Sequence, residues 1–319
     1  MMSDKVKIGT VGLGLMGSSI VTCLLAAGHE VVSLIRDLKK APAVKERIEK
    51  FLEQLKEEGL LKESPAIIIE RFTITDDAKD LAGNEVVIES IVENVNEKKR
   101  LFKTLESVLS PTAIIGSNTS AIPVSILQNE LKYPGRMLGI HWGEPAHVSK
   151  FLEVICGNES DIHHAEKIMK LAEGWGKEPS LIKKDIRGFI TNRLMYAMMR
   201  EAFHLVENDY ATYEDIDRAC RNDFGYWITF AGPFRFMDIT GIPAYLNVMK
   251  DLFPELDNSS GTPSSIEKLV ASGAKGVANE KGFYPYTKET AEKWEKLFVE
   301  FTYEIRKLSA KYPQNIGDL

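Results

Sequence analysis

The chain has 319 residues, enough for two domains of ordinary size. It is 44% hydrophobic and 27% charged, with a formal net charge of −6, which argues against a nucleic-acid or membrane-surface partner, since either favours a basic patch. Cys23, Cys156 and Cys220 are too far apart for a disulfide framework or a metal knuckle, and no apolar run is long enough to span a bilayer, so a cytoplasmic protein is expected.

The first informative stretch is residues 5–35. An apolar run at 6–11 predicts a buried strand, and Gly12-Leu13-Gly14-Leu15-Met16-Gly17 follows at once. Residues 18–27 predict a helix stopped by Gly28, and 31–35 a second strand. A strand, a glycine turn, a helix and a strand in this order are the context that a dinucleotide fingerprint requires. Gly12 permits the tight turn, Gly14 lets the backbone approach a pyrophosphate, and Gly17 lets the helix pack on the strand. Leu15 and Met16, within the turn, fall in the same predicted cofactor site. The second strand leads into Ile35-Arg36-Asp37. Asp37 reaches the adenosine ribose if that strand runs two residues further, whereas Arg36 covers the adenine or pairs with a 2′-phosphate. The choice of NAD or NADP stays open here, with NAD favoured.

Residues 43–61 predict a charged helix with apolar residues at Val44, Ile48, Phe51, Leu52 and Leu55, and Ser64-Pro65 opens a shorter one. This helical arm, about 43–70, reads either as a lid touching substrate or as a solvated helix pair. Strands are predicted at 72–75, 85–91, 113–116, 137–140 and 150–155, with helices at 76–81, 93–109 and 163–175. Repeated strand–helix units imply a parallel, helix-covered sheet. Beyond about 183–187 the pattern is helical throughout, over 188–205, 213–221, 234–238, 243–252, 264–272 and 290–311. The expected organisation is a Rossmann-type α/β domain with its arm at 1–185, then an all-helical domain at 186–319.

Ligands of open α/β sheets bind at the carboxyl ends of the strands. Three polar clusters fall there: Ser117-Asn118-Thr119-Ser120, His141-Trp142-Gly143-Glu144, and 187–193 with Asn192. His141, directly after an apolar strand, suits proton transfer near neutral pH. Glu153 interrupts the apolar run FLEVI, where an unpaired carboxylate is costly, so a cationic partner is expected. No spacing of the six histidines suggests a metal site.

GLGLMGSSI, VIESIVENVNEKKRLF, SNTSAIP, GIHWGEPAHVSKFLEVI, RGFITNRL and KGFYPY stand in the order and spacing of the 3-hydroxyacyl-CoA dehydrogenase family, and the resemblance covers nearly the whole chain. It implies reversible, NAD-dependent oxidation of an L-3-hydroxyacyl thioester to the 3-keto form, a place in fatty acid metabolism, and a homodimer formed through the helical domain. By position, His141 resembles the catalytic base, Glu153 its partner, Ser120 the serine that bonds the reacting oxygen, and Asn192 the asparagine that completes that site. Glu93 and Lys98 match positions near the nicotinamide-side ribose, and Asn118 joins the cofactor set. Three departures stand out: Glu144 where the family has asparagine, Arg187 where it commonly has proline, and the displaced ribose acid at Ile35-Arg36. The tail helix at 290–311 and the aromatic stretch from Phe224 to Phe234 are similar to a side branch that includes L-gulonate 3-dehydrogenase, lambda-crystallin and carnitine dehydrogenase. Three outcomes follow from the resemblance: a dehydrogenase of acyl-CoA thioesters, a dehydrogenase of a small free 3-hydroxy acid, or a crystallin-like cofactor-binding protein without activity.

Overall fold

The computed structural model describes residues 6–312. The chain divides into two compact units, residues 1–192 and 193–319. The first holds an eight-stranded sheet in the order β3-β2-β1-β4-β5-β6-β7-β8. Its strands are β1 (Ile8–Val11), β2 (Val31–Leu34), β3 (Phe72–Thr75), β4 (Val86–Glu89), β5 (Ile114–Ser117), β6 (Met137–Trp142), β7 (Phe151–Cys156) and β8 (Glu178–Ile182). Its helices are α1 (Leu15–Ala26), α2 (Ala41–Glu57), α3 (Pro65–Ile68), α4 (Val95–Val108), α5 (Val124–Gln128) and α6 (Ile162–Gly174).

Strand residues alternate between two apolar clusters, as the period of two demands of a sheet buried on both faces. Val86, Ile88, Leu138, Ile140, Leu152 and Val154 join α1, α2 and α6. Val87, Ile115, Met137 and Ile155 join α4 and α5. The short strands are therefore continuous apolar runs, and charged residues within them are conspicuous.

Three strand expectations change. The sheet is not wholly parallel: β6 and β7 pair antiparallel, because the loop between them is too short to hold a crossover helix. The strand β8 was hidden in the sequence. At the sheet edge it alternates exposed and half-buried residues and contains Pro179, so it lacks the apolar run of its neighbours. The predicted strand at 137–140 also runs on to Trp142, placing His141 inside β6 rather than after it.

The arm is not a solvated helix pair, because one face of α2 is buried. Val44, Ile48, Leu52 and Leu55 form one buried stripe of α2, packed with α1. Each buried aliphatic side chain contributes roughly 1.5–3 kcal/mol. Phe51 stacks on His147, with ring centroids 4.2 Å apart.

The second unit carries α8 (Tyr213–Ala219), α9 (Gly225–Phe230), α10 (Gly232–Thr240), α11 (Ile242–Leu252), α12 (Ser264–Ala271), α13 (Lys288–Ala310) and most of α7 (Thr191–Glu207). A π-helical turn, Cys220–Phe224, joins α8 to α9. Thr287 and Thr290 form a capping box that starts α13. Among the described residues no helix is long and apolar enough to cross a membrane.

Candidate active site

The site is built where the strands end. Glu89 and Ser117 are the last residues of β4 and β5, and they are cross-strand partners. His141 and Glu153 are cross-strand partners in the β6–β7 pair. By the period of two, all four side chains lie on the sheet face that carries α4 and α5.

His141 Nδ1 and Glu153 Oε2 are 2.8 Å apart, and Glu153 is 1% exposed. The other carboxylate oxygen accepts from the Ile190 and Thr191 backbone N–H groups, at 3.2 and 3.0 Å, and from the Thr191 hydroxyl at 3.2 Å. Burial by itself pushes the Glu153 carboxyl up, but the hydrogen bond from His141 and those from Thr191 outweigh it and hold the group below the ordinary carboxylate range. An ionised Glu153 can only accept, so Nδ1 carries the proton and the Nε2 lone pair is available as a base. The imidazole is held from two sides, edge-on to Phe151 at 5.4 Å and tilted against Phe189 at 5.6 Å. Phe189 is 1% exposed and sits at φ 54°, after Gly188 at φ 82°. A bulky residue in the left-handed region is strained, and here the strain turns the chain so that the ring meets His141.

The Ser120 loop is held by Glu93. One Glu93 oxygen accepts from the Thr119 hydroxyl (2.5 Å), the Ser120 N–H (3.0 Å) and the Ala121 N–H (3.3 Å). Burial opposes ionisation of Glu93, but the Thr119 hydroxyl, Lys98 and the two backbone donors hold its carboxyl below the ordinary range. Asn192 donates to the Ser120 carbonyl at 2.7 Å. Ser120 itself is exposed, and among the described residues no protein group bonds its hydroxyl.

Lys98 is fully buried. Its ammonium lies 2.6 Å from Glu89 and 3.3 Å from Glu93. Glu89, also fully buried, further accepts from Ser117 Oγ and the Ile91 N–H, each at 2.6 Å. Asn118 is engaged within the protein too, accepting from the Trp142 N–H at 3.0 Å and donating to Ser90 Oγ at 3.2 Å. Glu144 is exposed, and no hydrogen bond joins it to His141.

The glycine turn has the shape expected of a pyrophosphate cradle. Gly12 adopts φ +91°, and a Cβ there would lie 2.5 Å from the Ser90 carbonyl. A Cβ at Gly17 would collide with the Gly12 carbonyl, whereas one at Gly14 would meet nothing within 4 Å. The backbone is thus open at Gly14, the N-cap of α1, and no side chain caps the first N–H groups of the helix. Leu15 and Met16 occupy the first turn of α1. At the far side of β1, Arg36 and Asp37 are both exposed, and Asp37 caps a short 3₁₀ turn by accepting from Lys39 N–H at 3.0 Å.

Residues 7–186 match the 3-hydroxyacyl-CoA dehydrogenase NAD binding domain, and residues 188–286 match the C-terminal domain of the same family. The chain belongs to the 3-hydroxyacyl-CoA dehydrogenase family. It is an NAD-dependent oxidoreductase with a Rossmann-type domain followed by a helical one, and NAD is its cofactor. A 5-formyl-3-hydroxy-2-methylpyridine 4-carboxylate 5-dehydrogenase from Mesorhizobium japonicum is 32% identical, over 89% of this chain and 91% of that one. A crystal structure of an enzyme of that activity, described as an NAD+ dependent dismutase, is similar at a TM-score of 0.89 with 27% identity, over 97% of this chain and all of that one. The (S)-3-hydroxybutyryl-CoA dehydrogenase of Ralstonia eutropha gives a TM-score of 0.75 with 26% identity, over 89% of this chain and all of that one.

Several residues of this geometry were not singled out from the sequence. Glu89 carried the signal used for Glu153, an acid in an apolar strand, with Lys98 nine residues on. Phe151 and Phe189 carried none, since an aromatic residue in an apolar context reads as core.

Proposed function

We propose that this chain oxidises the hydroxyl group of a small free hydroxy acid that carries no coenzyme A, with His141 as the base. The observation that supports the free acid is the reach of the structural likeness. It extends over 97% of the chain at a TM-score of 0.89 for the enzyme that acts on a free pyridine carboxylate, and over 88–93% at TM-scores of 0.67–0.75 for acyl-CoA dehydrogenases. The family's C-terminal domain ends at 286, so α13 lies beyond it.

NAD supplies the hydride acceptor when bound at the turn of Gly12, Gly14, Leu15, Met16 and Gly17, with Arg36 or Asp37 toward the adenosine ribose. His141 Nε2 takes the hydroxyl proton as the C–H bond breaks. Glu153 stabilises the resulting imidazolium and fixes the ring through Nδ1. Ser120 donates its free hydroxyl to the reacting oxygen, while Asn192 and Glu93 hold the loop that presents it. Lys98 bridges Glu89 and Glu93 beneath that loop and offsets one of their two charges, and Asn118 ties the loop to β6. Arg187, two residues before Phe189, offers a cation for the substrate carboxylate.

The acyl-CoA reading, with its place in fatty acid metabolism, is favoured by the full set of Ser120, His141, Glu153 and Asn192. We further propose a homodimer formed through residues 186–319, and a cytoplasmic setting that fits three free cysteines. Initial rates of NAD reduction with L-gulonate, L-carnitine, 3-hydroxybutyrate and its CoA thioester test the main reading. A free acid is expected to give the highest kcat/KM, and preference for the thioester overturns it. His141→Gln is expected to lower kcat by about 10²–10⁴-fold while leaving NADH binding intact, and near wild-type turnover would remove the base assignment.

A further inference from the structure

The glycine turn has no charge of its own: residues 12–19 read GLGLMGSS. The cation fixed against it comes from the arm helix. Arg47 of α2 donates from Nη2 to the Leu13 carbonyl at 2.8 Å and from Nε to the Ser18 hydroxyl at 3.0 Å. Leu13 lies between the first two glycines and Ser18 follows the third, so the guanidinium is held at both ends of the turn. Arg47 is half-buried, and among the described residues no carboxylate pairs with it. A guanidinium carries five N–H donors in a planar fork suited to phosphate, and two of the five are used in holding it here. A partly desolvated cation beside open helix N–H groups favours an anion on both counts.

We propose that Arg47 is a cofactor-binding residue that supplies the positive charge for the NAD pyrophosphate, delivered from the arm helix rather than from the turn. This rests on the glycine turn being the NAD site. It also gives the arm a task in this chain: its apolar stripe packs on α1, and that packing sets the height of Arg47 above Leu13 and Ser18.

The test is calorimetric titration of the full-length protein with ADP-ribose, together with NADH titration by fluorescence, for the wild type and for Arg47→Met, Arg47→Gln and Arg47→Lys. Loss of one charge-assisted hydrogen bond predicts ADP-ribose affinity about tenfold weaker in the two neutral variants, with a shallower salt dependence. Arg47→Lys, which keeps the charge, is expected to stay near wild type. Arg47→Gln can still bond the Leu13 carbonyl, so it separates charge from tethering if Arg47→Met does not fold. Wild-type ADP-ribose affinity in Arg47→Gln, with a lowered melting temperature in Arg47→Met, makes Arg47 a structural tether and overturns the proposal. Failure of the wild type to bind ADP-ribose overturns the cofactor site itself.

Discussion

The two units of this chain solve the burial problem differently. Residues 1–192 bury two apolar clusters, one on each face of the sheet, and also enclose Glu89, Lys98, Glu153 and most of His141. In residues 193–319, Ala291 and Tyr303 are the buried side chains among those described, while Tyr226, Phe234 and Phe301 are 69%, 79% and 63% exposed. Exposed apolar side chains in such number are what an interaction surface presents. The first unit carries its stability within one chain. The second has the composition of a core without the burial of one, which supports the proposed homodimer interface there.

The largest expected effect breaks the first unit from inside. Removing one member of a fully buried ion pair leaves the other charge unpaired, at a cost of about 3–5 kcal/mol. Glu89→Ala leaves Lys98 only the partly exposed Glu93 at 3.3 Å and unties Ser117, so its melting transition should fall by many degrees even though Glu89 touches no predicted reacting atom. A melting temperature within a degree of wild type would show that Glu93 alone satisfies Lys98.

The next prediction addresses the second unit. On α13, Trp294, Phe298 and Phe301 stand in helical spacing and all are exposed. If the proposed dimer forms through this face, Phe301→Asp should shift it to monomer in light scattering, a loss of about 2 kcal/mol or more for a hot-spot residue. Dilution of the wild type should lower the transition of the second unit and leave that of the first unchanged, because mass action acts on a partner-stabilised fold alone. A transition of the second unit that does not move with concentration would place its stability inside one chain.

The same contrast accounts for what the sequence revealed. The glycine turn was legible because its strand, turn and helix are contiguous and each glycine has a steric reason. The pairing of His141 with Glu153 was legible because a carboxylate in an apolar strand needs a partner, although the antiparallel register that pairs them was not. Local pattern says nothing about strand direction, so the β6–β7 reversal and the edge strand β8 went unread. Phe189 was hidden because its positive φ is set by the turn against His141, not by its own preference. Arg47 was one basic residue among many on a charged helix, and only the docking of α2 on α1 distinguishes it. In the second unit most helices were legible from their apolar periodicity, α9 excepted, but that periodicity does not say whether the partner lies in the same chain.

Acid should separate the units by mechanism. Glu93 and Glu153, both in the first unit, ionise below their ordinary value of 4.5 when folded. A folded pKa depressed below the unfolded one contributes stability that is complete well above 4.5 and is lost as pH falls through 4.5 toward the folded value. In the second unit Asp215 and Glu207 are also lowered, by Thr212 and Ser265 respectively, but both groups are solvent-exposed and screened. The two units should therefore respond differently to salt at pH 3–5. Acid destabilisation of the first unit persists in concentrated salt, because Glu153 is almost fully buried and its oxygens are engaged by His141 and the 190–191 backbone. That of the second unit is largely abolished. Trp142 and Trp175, stacked at 5.5 Å and buried, report on the first unit, and Trp227 and Trp294 on the second. Titrating from pH 7 to pH 3 at low and high salt, Trp227→Phe/Trp294→Phe protein reads the first unit alone, and its difference from the wild type reads the second. Equal relief by salt in both units would mean that the Glu153 carboxylate meets solvent, and that the enclosure of the His141 pair is looser than its hydrogen bonds imply.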